Sequence, residues 1–264
     1  MVDVQNHTDS RRIPIDQVGV SDLRYPIIVL DQKQEWQHTI ANIAMSVSLP
    51  HHFKGTHMSR FVEILNLHRG EITMRTLPEI LHDLKKTLKA EIARVELAFS
   101  YFMERAAPVS KAKGLMEYEC TFTGESAAKE DDFIFGVRVP VTSLCPCSKA
   151  MSDASAHNQR GYVTIDVRPT RDDSGQMQFI WIEELIEIAE KSASAPVYSL
   201  LKRVDEKFVT DQAYANPVFV EDIVRNVAVR MQQDSRVAWF QVKAINHESI
   251  HNHSAFARIE WARK

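Results

Sequence analysis

Two short stretches concentrate the side chains that can do chemistry. The first, SLCPCSKAMSDASAHNQR (143–160), holds Cys145 and Cys147 with one proline between them, and His157 further on. In extended backbone residues i and i+2 point to the same side, so both thiols can face one pocket. A disulfide between them would be strained, because their Cα atoms sit near or beyond the usual limit of ~7 Å. A structural zinc site wants two cysteine pairs, and a chain with three cysteines has no second pair. Three readings remain: a thiolate metal ligand, a catalytic or nucleophilic thiol, or two buried and inert thiols. With His157 added, the loop is one carboxylate short of a metal site. Three protein ligands plus water describe a catalytic site, and four closed ligands a structural one.

The second stretch is NHESIHNH (246–253), which packs His247, Glu248, His251 and His253 into a hairpin tip. It could be a metal site in itself, an acid/base pair of Glu248 with His251, or a solvated turn. LKRVDEKFV (201–209) puts Lys202, Arg203 and Lys207 around Asp205 and Glu206. Such a charge run is normally a solvated face. A pocket that holds phosphates without a glycine-rich loop would be built from the same residues, and Glu206 could supply the missing carboxylate. HHFKGTH (51–57) has no cysteine or carboxylate close by and is expected to be a loop, while Cys120 in MEYECTF is expected in the core.

The chain of 264 residues has 44% hydrophobic and 25% charged residues, close to the soluble globular average. Its net charge of −3 argues against a generally basic nucleic-acid surface, so no nucleic-acid partner is expected. No apolar run approaches the ~20 residues that span a bilayer, and the polar start MVDVQNHTDSRR lacks a signal-peptide core, so neither a membrane role nor export is expected. An odd three cysteines make no disulfide framework, which points to the cytoplasm. None of the eight glycines forms GxGxxG or GxxxxGK[ST]. Phosphates, if bound, must be held by Lys and Arg side chains.

The elements that must position these residues follow from periodicity. Residues 1–30 are polar, carry Pro14 and Pro26, and suggest a flexible N-terminal arm. From Glu35 a strand is expected, with Ile40, Ile43, Met45, Val47 and Leu49 on one face. Two helices follow: one capped by Ser59 and ended by Gly70, and one with the stripe Ile80, Leu84, Leu88 and Ile92. ARVELAFSYFME and KGLMEYECTFTGE then alternate as strands up to the charged break GESAAKEDD (124–132). Beyond it DFIFGVRVPVTSL, GYVTIDVRP, RVAWFQVKAIN and SAFARIEWA predict strands, and WIEELIEIAEKSAS and NPVFVEDIVRNVAVRMQQD predict helices. Asn216 and Pro217 are expected to start the second of these helices. Glu221 falls at the border of its stripe of Val220, Ile223, Val224, Val227 and Met231, as a partly desolvated carboxylate or a first-turn residue favoured by the helix dipole. The second half reads ββααββ and the first half approximately β(β)ααββ, two copies of one unit in an α+β protein, at 31–128 and 129–264, the second carrying most of the reactive residues.

LCPCSK, AHNQR, LLKRVDEKFVT, AYANPVFVEDIVR and ESIHNHSA, in this order, resemble the type IB GTP cyclohydrolase I family over most of the chain from about residue 30. The resemblance implies the tunnelling fold (T-fold), two tandem ββααββ units of antiparallel sheet with helices on one face, in homotetramers with active sites at subunit interfaces. It implies hydrolytic opening of GTP at C8, release of formate and formation of 7,8-dihydroneopterin triphosphate, with a divalent metal, manganese or zinc. Cys145, His157 and Glu206 would then be the metal ligands and Cys147 the catalytic thiol. Glu221 would anchor the guanine ring, and Glu248 and His251 would assist proton transfers. Lys202, Arg203, Lys149 and Arg160 are candidates for the triphosphate on charge alone.

Rival functions divide by class. A thiol enzyme of the same fold without metal, such as a nitrile reductase, would leave Cys145, His157 and Glu206 without a task. A zinc nucleobase deaminase needs HxE with PCxxC, and neither is in the sequence. A non-catalytic purine-binding protein would not need the reactive set that is present.

Overall fold

The computed structural model describes residues 5, 7, 9–33, 36–68, 76–127 and 131–263. The expected helix stop at Gly70, the strand start at Glu35 and residues 128–130 of the charged break lie outside them. The chain divides into two compact units, Met1–Ser100 with Thr121–Phe135, and Tyr101–Cys120 with Gly136–Lys264.

The first unit opens with strands β1 (Ile15–Leu30) and β2 (Trp36–Leu49), then helices α1 (Met58–Leu67) and α2 (Leu77–Leu88), and the start of β3 (Ala93–Ala106). β1 pairs antiparallel with β2, and β2 with β3. The alternation of β2 does what its pattern predicts for Ile43, Met45, Val47 and Leu49, all at most 5% exposed. Ile40 is out of phase and 58% exposed, because side chains alternate strictly along a strand. α1 and α2 pack on each other, and Phe61, Ile64, Leu65, Leu77, Ile80, Leu81 and Leu84 are buried there. Each such burial is worth roughly 1.5–3 kcal/mol relative to exposure. His57, not Ser59, takes the N-cap position of α1, and α2 ends before Ile92.

Residues 15–30 are not an arm but the full strand β1. Pro26, opposite Ile40, is tolerated because β1 lies at an edge, where a missing N–H breaks no second ladder. Two register shifts, one between Val20 and Leu23 where Asp22 has φ 59°, break the period of two and hide the strand from a periodicity reading. Gly19 is required by closeness: a Cβ there would lie 1.9 Å from the Met45 carbonyl oxygen.

The second unit carries the later part of β3 and the start of β4 (Lys113–Ser126). It continues with most of β5 (Asp131–Leu144), α3 (Pro146–Met151), β6 (Asn158–Pro169), α4 (Ile182–Glu190) and the short β7 (Ala195–Pro196). It ends with α5 (Arg203–Ala215), α6 (Val220–Gln233), β8 (Val237–His247) and β9 (Ser254–Ala262). β6, β8 and β9 pair antiparallel in that order, with Val163 opposite Ala244 and Val242 opposite Ile259. α6 packs on β8 and β9 through its stripe of Ile223, Val224, Val227 and Met231.

Two helices stand where the sequence suggests loop or solvated face. α3 lies inside the 143–160 loop, and α5 covers the 203–209 charge run. α5 has no apolar stripe to betray it, since its buried residues are Asp205 and Ala213. Asn216 closes α5 instead of opening α6. Its N–H donates to the Gln212 carbonyl, and its side chain donates to the Ala193 carbonyl at 2.9 Å. α6 is opened by Asp222, whose carboxylate accepts from the Phe219 N–H at 3.2 Å.

Candidate active site

Cys145 follows the last residue of β5 and holds the N-cap position of α3, with Pro146 in the first turn. Its Sγ accepts from the Ser148 N–H at 3.5 Å, and its own N–H donates to the His157 carbonyl at 3.1 Å. The Ser148 hydroxyl donates to the Cys145 carbonyl at 3.2 Å and accepts from the His157 N–H at 3.1 Å. Cys145 and His157 are therefore fixed together by the loop's own groups. Cys147 lies inside α3, so the extended-chain argument for paired thiols fails; it is exposed while Cys145 is half-buried.

His157 Nδ1 lies 2.7 Å from Gln159 Oε1, and Gln159 Nε2 donates to Glu248 Oε1 at 3.1 Å. The carboxylate of one reactive loop is thus joined to the imidazole of the other. His251 is not with Glu248: its ring stacks on His253 at 5.1 Å, and both are exposed.

Three polar side chains hold the ends of these elements together. Asn246 Nδ2 donates to Ser143 Oγ at 3.0 Å, and Ser143 Oγ donates to the Val218 carbonyl at 3.1 Å. The Leu144 N–H donates to Ser194 Oγ at 2.9 Å. The end of β5 before Cys145, the end of β8 before Glu248 and the segment before Glu221 are tied by this network. Gln159, Asn246 and Ser143 are at most 8% exposed, and sequence reasoning misses all three. Their signal is parity: each occupies the apolar phase of its strand, Gln159 with Val163 and Ile165, Asn246 with Val242 and Ala244, Ser143 with Val139 and Val141.

Asp205 anchors α5. It is fully buried and accepts from the N–H groups of Val109, Ser110 and Lys202 and from the Ser110 hydroxyl at 2.5–2.9 Å. Burial pushes its carboxyl up, but the hydrogen bonds outweigh that and hold it well below the usual carboxylate range. Glu206, Lys202 and Arg203 beside it are exposed, as is Arg160. Lys149 is engaged, its Nζ donating to the Tyr214 carbonyl and lying 4.3 Å from that ring's centre. Glu221 is exposed in the first turn of α6, not half-buried as its helical phase suggests.

For a divalent metal, Cys145 and His157 offer fitting ligand types on residues joined main chain to main chain, a half-buried thiol and an imidazole whose Nδ1 is already held by Gln159. Glu206 does not complete them: among the described residues no three His, Cys, Asp or Glu side chains gather as a metal site.

An α+β chain with antiparallel pairing of this kind is also found in the uricases. That of Arthrobacter globiformis superposes with a TM-score of 0.57 at 10% identity over 94% of each chain. Urate oxidase of Bacillus subtilis 168 superposes with a TM-score of 0.52 at 8% identity over 94% of this chain and 98% of that one. At such identities the likeness is one of fold alone. The family described as type I GTP cyclohydrolase folE2 matches residues 1–257, and the chain belongs to that family. GTP cyclohydrolase FolE2 of Syntrophus aciditrophicus is 55% identical over 260 residues, covering 98% of this chain and 99% of that protein. That of Citrifermentans bemidjiense is 56% identical over 262 residues, covering 99% and 95%. No helix among the described residues is long and apolar enough to cross a membrane.

Proposed function

We infer that this chain is a GTP cyclohydrolase I: it opens GTP hydrolytically at C8, releases formate and forms 7,8-dihydroneopterin triphosphate, the first step of folate and pterin biosynthesis. The observation that carries this is end-to-end identity of 55% with a relative named GTP cyclohydrolase FolE2. The type IB branch named by the motifs, the tandem T-fold architecture and a cytoplasmic homotetramer with interfacial active sites belong to the same proposal. The order ββααββ of β1 to β4 supports the tandem fold, with β1 completing the first unit in place of an arm. Exposed Val204, Phe208 and Tyr214 on α5 support burial there by another subunit.

Cys145 and His157 would hold manganese or zinc, with Glu206, which is not gathered with them in the structure, as the proposed third ligand. A thiolate–imidazole–carboxylate set is one that zinc accepts readily and manganese tolerates. The cation, when bound, supplies the Lewis acidity that makes hydroxide available near neutral pH. The exposed Cys147 thiol can give and take a proton at the opening imidazole ring. Glu248, held by Gln159, accepts and returns protons in the same steps, with His251 of the hairpin tip as its partner once substrate brings them together. Glu221 binds guanine, because a carboxylate accepts from N1–H and the 2-amino group side by side. The triphosphate falls to Lys202, Arg203 and Arg160, with Lys149 after it leaves the Tyr214 carbonyl.

A thiol enzyme without metal draws its support from the ungathered third ligand. One experiment separates the two. Metal-stripped protein is given GTP, then manganese or zinc, and formate and pterin fluorescence are followed. Both products are expected only with metal. Products at full rate without metal would favour the thiol enzyme, and neither product from folded, metal-loaded protein would refute the proposed activity.

A further inference from the structure

Gln159 touches two reactive residues with opposite ends of one amide. Its Oε1 lies 2.7 Å from His157 Nδ1 and its Nε2 lies 3.1 Å from Glu248 Oε1. An ionised carboxylate only accepts, so the amide end facing Glu248 must be the NH₂ group and the end facing His157 must be the carbonyl. A carbonyl oxygen also only accepts. The His157 Nδ1 must therefore carry the hydrogen, and in the neutral ring Nε2 is left as the lone-pair nitrogen. Ser249 Oγ, 3.2 Å from the same Nδ1, can accept as a second partner and does not reverse this order. Gln159 is 8% exposed, on the buried face of β6 with Gly161 and Val163, so water does not readily replace either bond.

We propose that Gln159 is a positioning residue that uses the Glu248 carboxylate to lock His157 in its Nδ1–H form, leaving Nε2 as the donor for a divalent cation. The proposal deepens the assignment of His157 as a metal ligand and rests on it. It makes Glu248 act on the imidazole through an intervening side chain. Metal-binding histidines in general have their second nitrogen fixed in this way, and loss of such a partner typically costs about 10–100-fold in metal affinity. Here the polarity of the amide is set by the carboxylate expected to move protons.

The test is the tautomer of His157 in full-length, metal-stripped, nitrogen-15-labelled protein, observed by two-bond proton–nitrogen correlation and assigned with His157→Gln. Wild type is expected in the Nδ1–H form. Gln159→Met should shift the ring to a mixture of tautomers. So should Glu248→Gln, since an amide there can present either polarity to Gln159 and the order is lost. Glu248 is only half-buried, so this variant keeps the test available if Gln159→Met does not fold. Zinc affinity by chelator competition is expected to fall about 10–100-fold in both variants. A wild-type ring in the Nε2–H form, or an unchanged tautomer in Glu248→Gln, would overturn the proposal. A locked Nδ1–H ring in a protein that binds neither zinc nor manganese would uphold the lock and overturn the metal assignment.

Discussion

Cys145 and His157 are joined main chain to main chain, the N–H of the first donating to the carbonyl of the second at 3.1 Å. The end of β5 and the start of β6 therefore meet at the two residues proposed to share a cation. The intervening loop, α3 included, is free to carry Cys147 outward. The thiol proposed to bind and the thiol proposed to react are separated by this local geometry.

That separation predicts different losses at the two cysteines. Cys145→Ala is expected to lose bound metal, measured by elemental analysis, together with activity. Cys147→Ala is expected to keep metal and lose formate release by two or more orders of magnitude, on the scale of removing a proton-transfer group. Wild-type turnover in both variants would sink the site assignment.

Glu221 is exposed in the first turn of α6, so its loss should not disturb folding beyond about 0.5 kcal/mol in a urea titration. Charged hydrogen bonds of about 1.5–3 kcal/mol would be lost with it, and GTP affinity in Glu221→Ala should weaken roughly 10–100-fold. Calorimetry with GTP checks this, and an unchanged Kd would remove Glu221 from the guanine site.

Asp205 makes stability depend on acid. Its carboxyl is held below its ordinary value of 3.8 in the folded chain. Stability from this group is therefore fully present above pH 3.8 and is lost as pH falls through the lower folded value. Asp205→Asn should melt at lower temperature at pH 7 and show a shallower fall in melting temperature below pH 3.8 than wild type. Parallel curves for the two proteins would show that Asp205 carries no such linkage.

Gly19 tests whether residues 15–30 are built into the fold. With the Met45 carbonyl oxygen 1.9 Å from where a Cβ would stand, Gly19→Ala must push β1 off β2, at a cost of about 1–3 kcal/mol or more. The urea midpoint should drop at constant slope. A midpoint equal to wild type would mean that the strand contributes nothing to stability, as an arm would.

The elements with strict apolar alternation are legible from residue order alone: β2, β5, β6 and β8 lie where their patterns end, and α6 buries the stripe its sequence marks. β1 is not, because two register shifts and Pro26 break the period. α5 is not, because its buried face is an aspartate and an alanine. The reactive set is legible as motifs, but its pairing is not. Glu248 and His251, near neighbours in sequence, point to Gln159 and His253 respectively.

By itself, then, the sequence determined the family, the reactive residue types and the elements whose side chains repeat with a fixed period. Such repeats are local: they need only neighbouring residues to state which face is apolar. The tertiary structure alone decided which polar side chains would be buried and what they would hold. Asp205 meets Ser110, Asn246 meets Ser143 and Gln159 meets Glu248 from 95, 103 and 89 residues away. A buried polar group is stable only with its hydrogen-bond partner in place, and no periodicity along a chain records where a distant partner will come to lie.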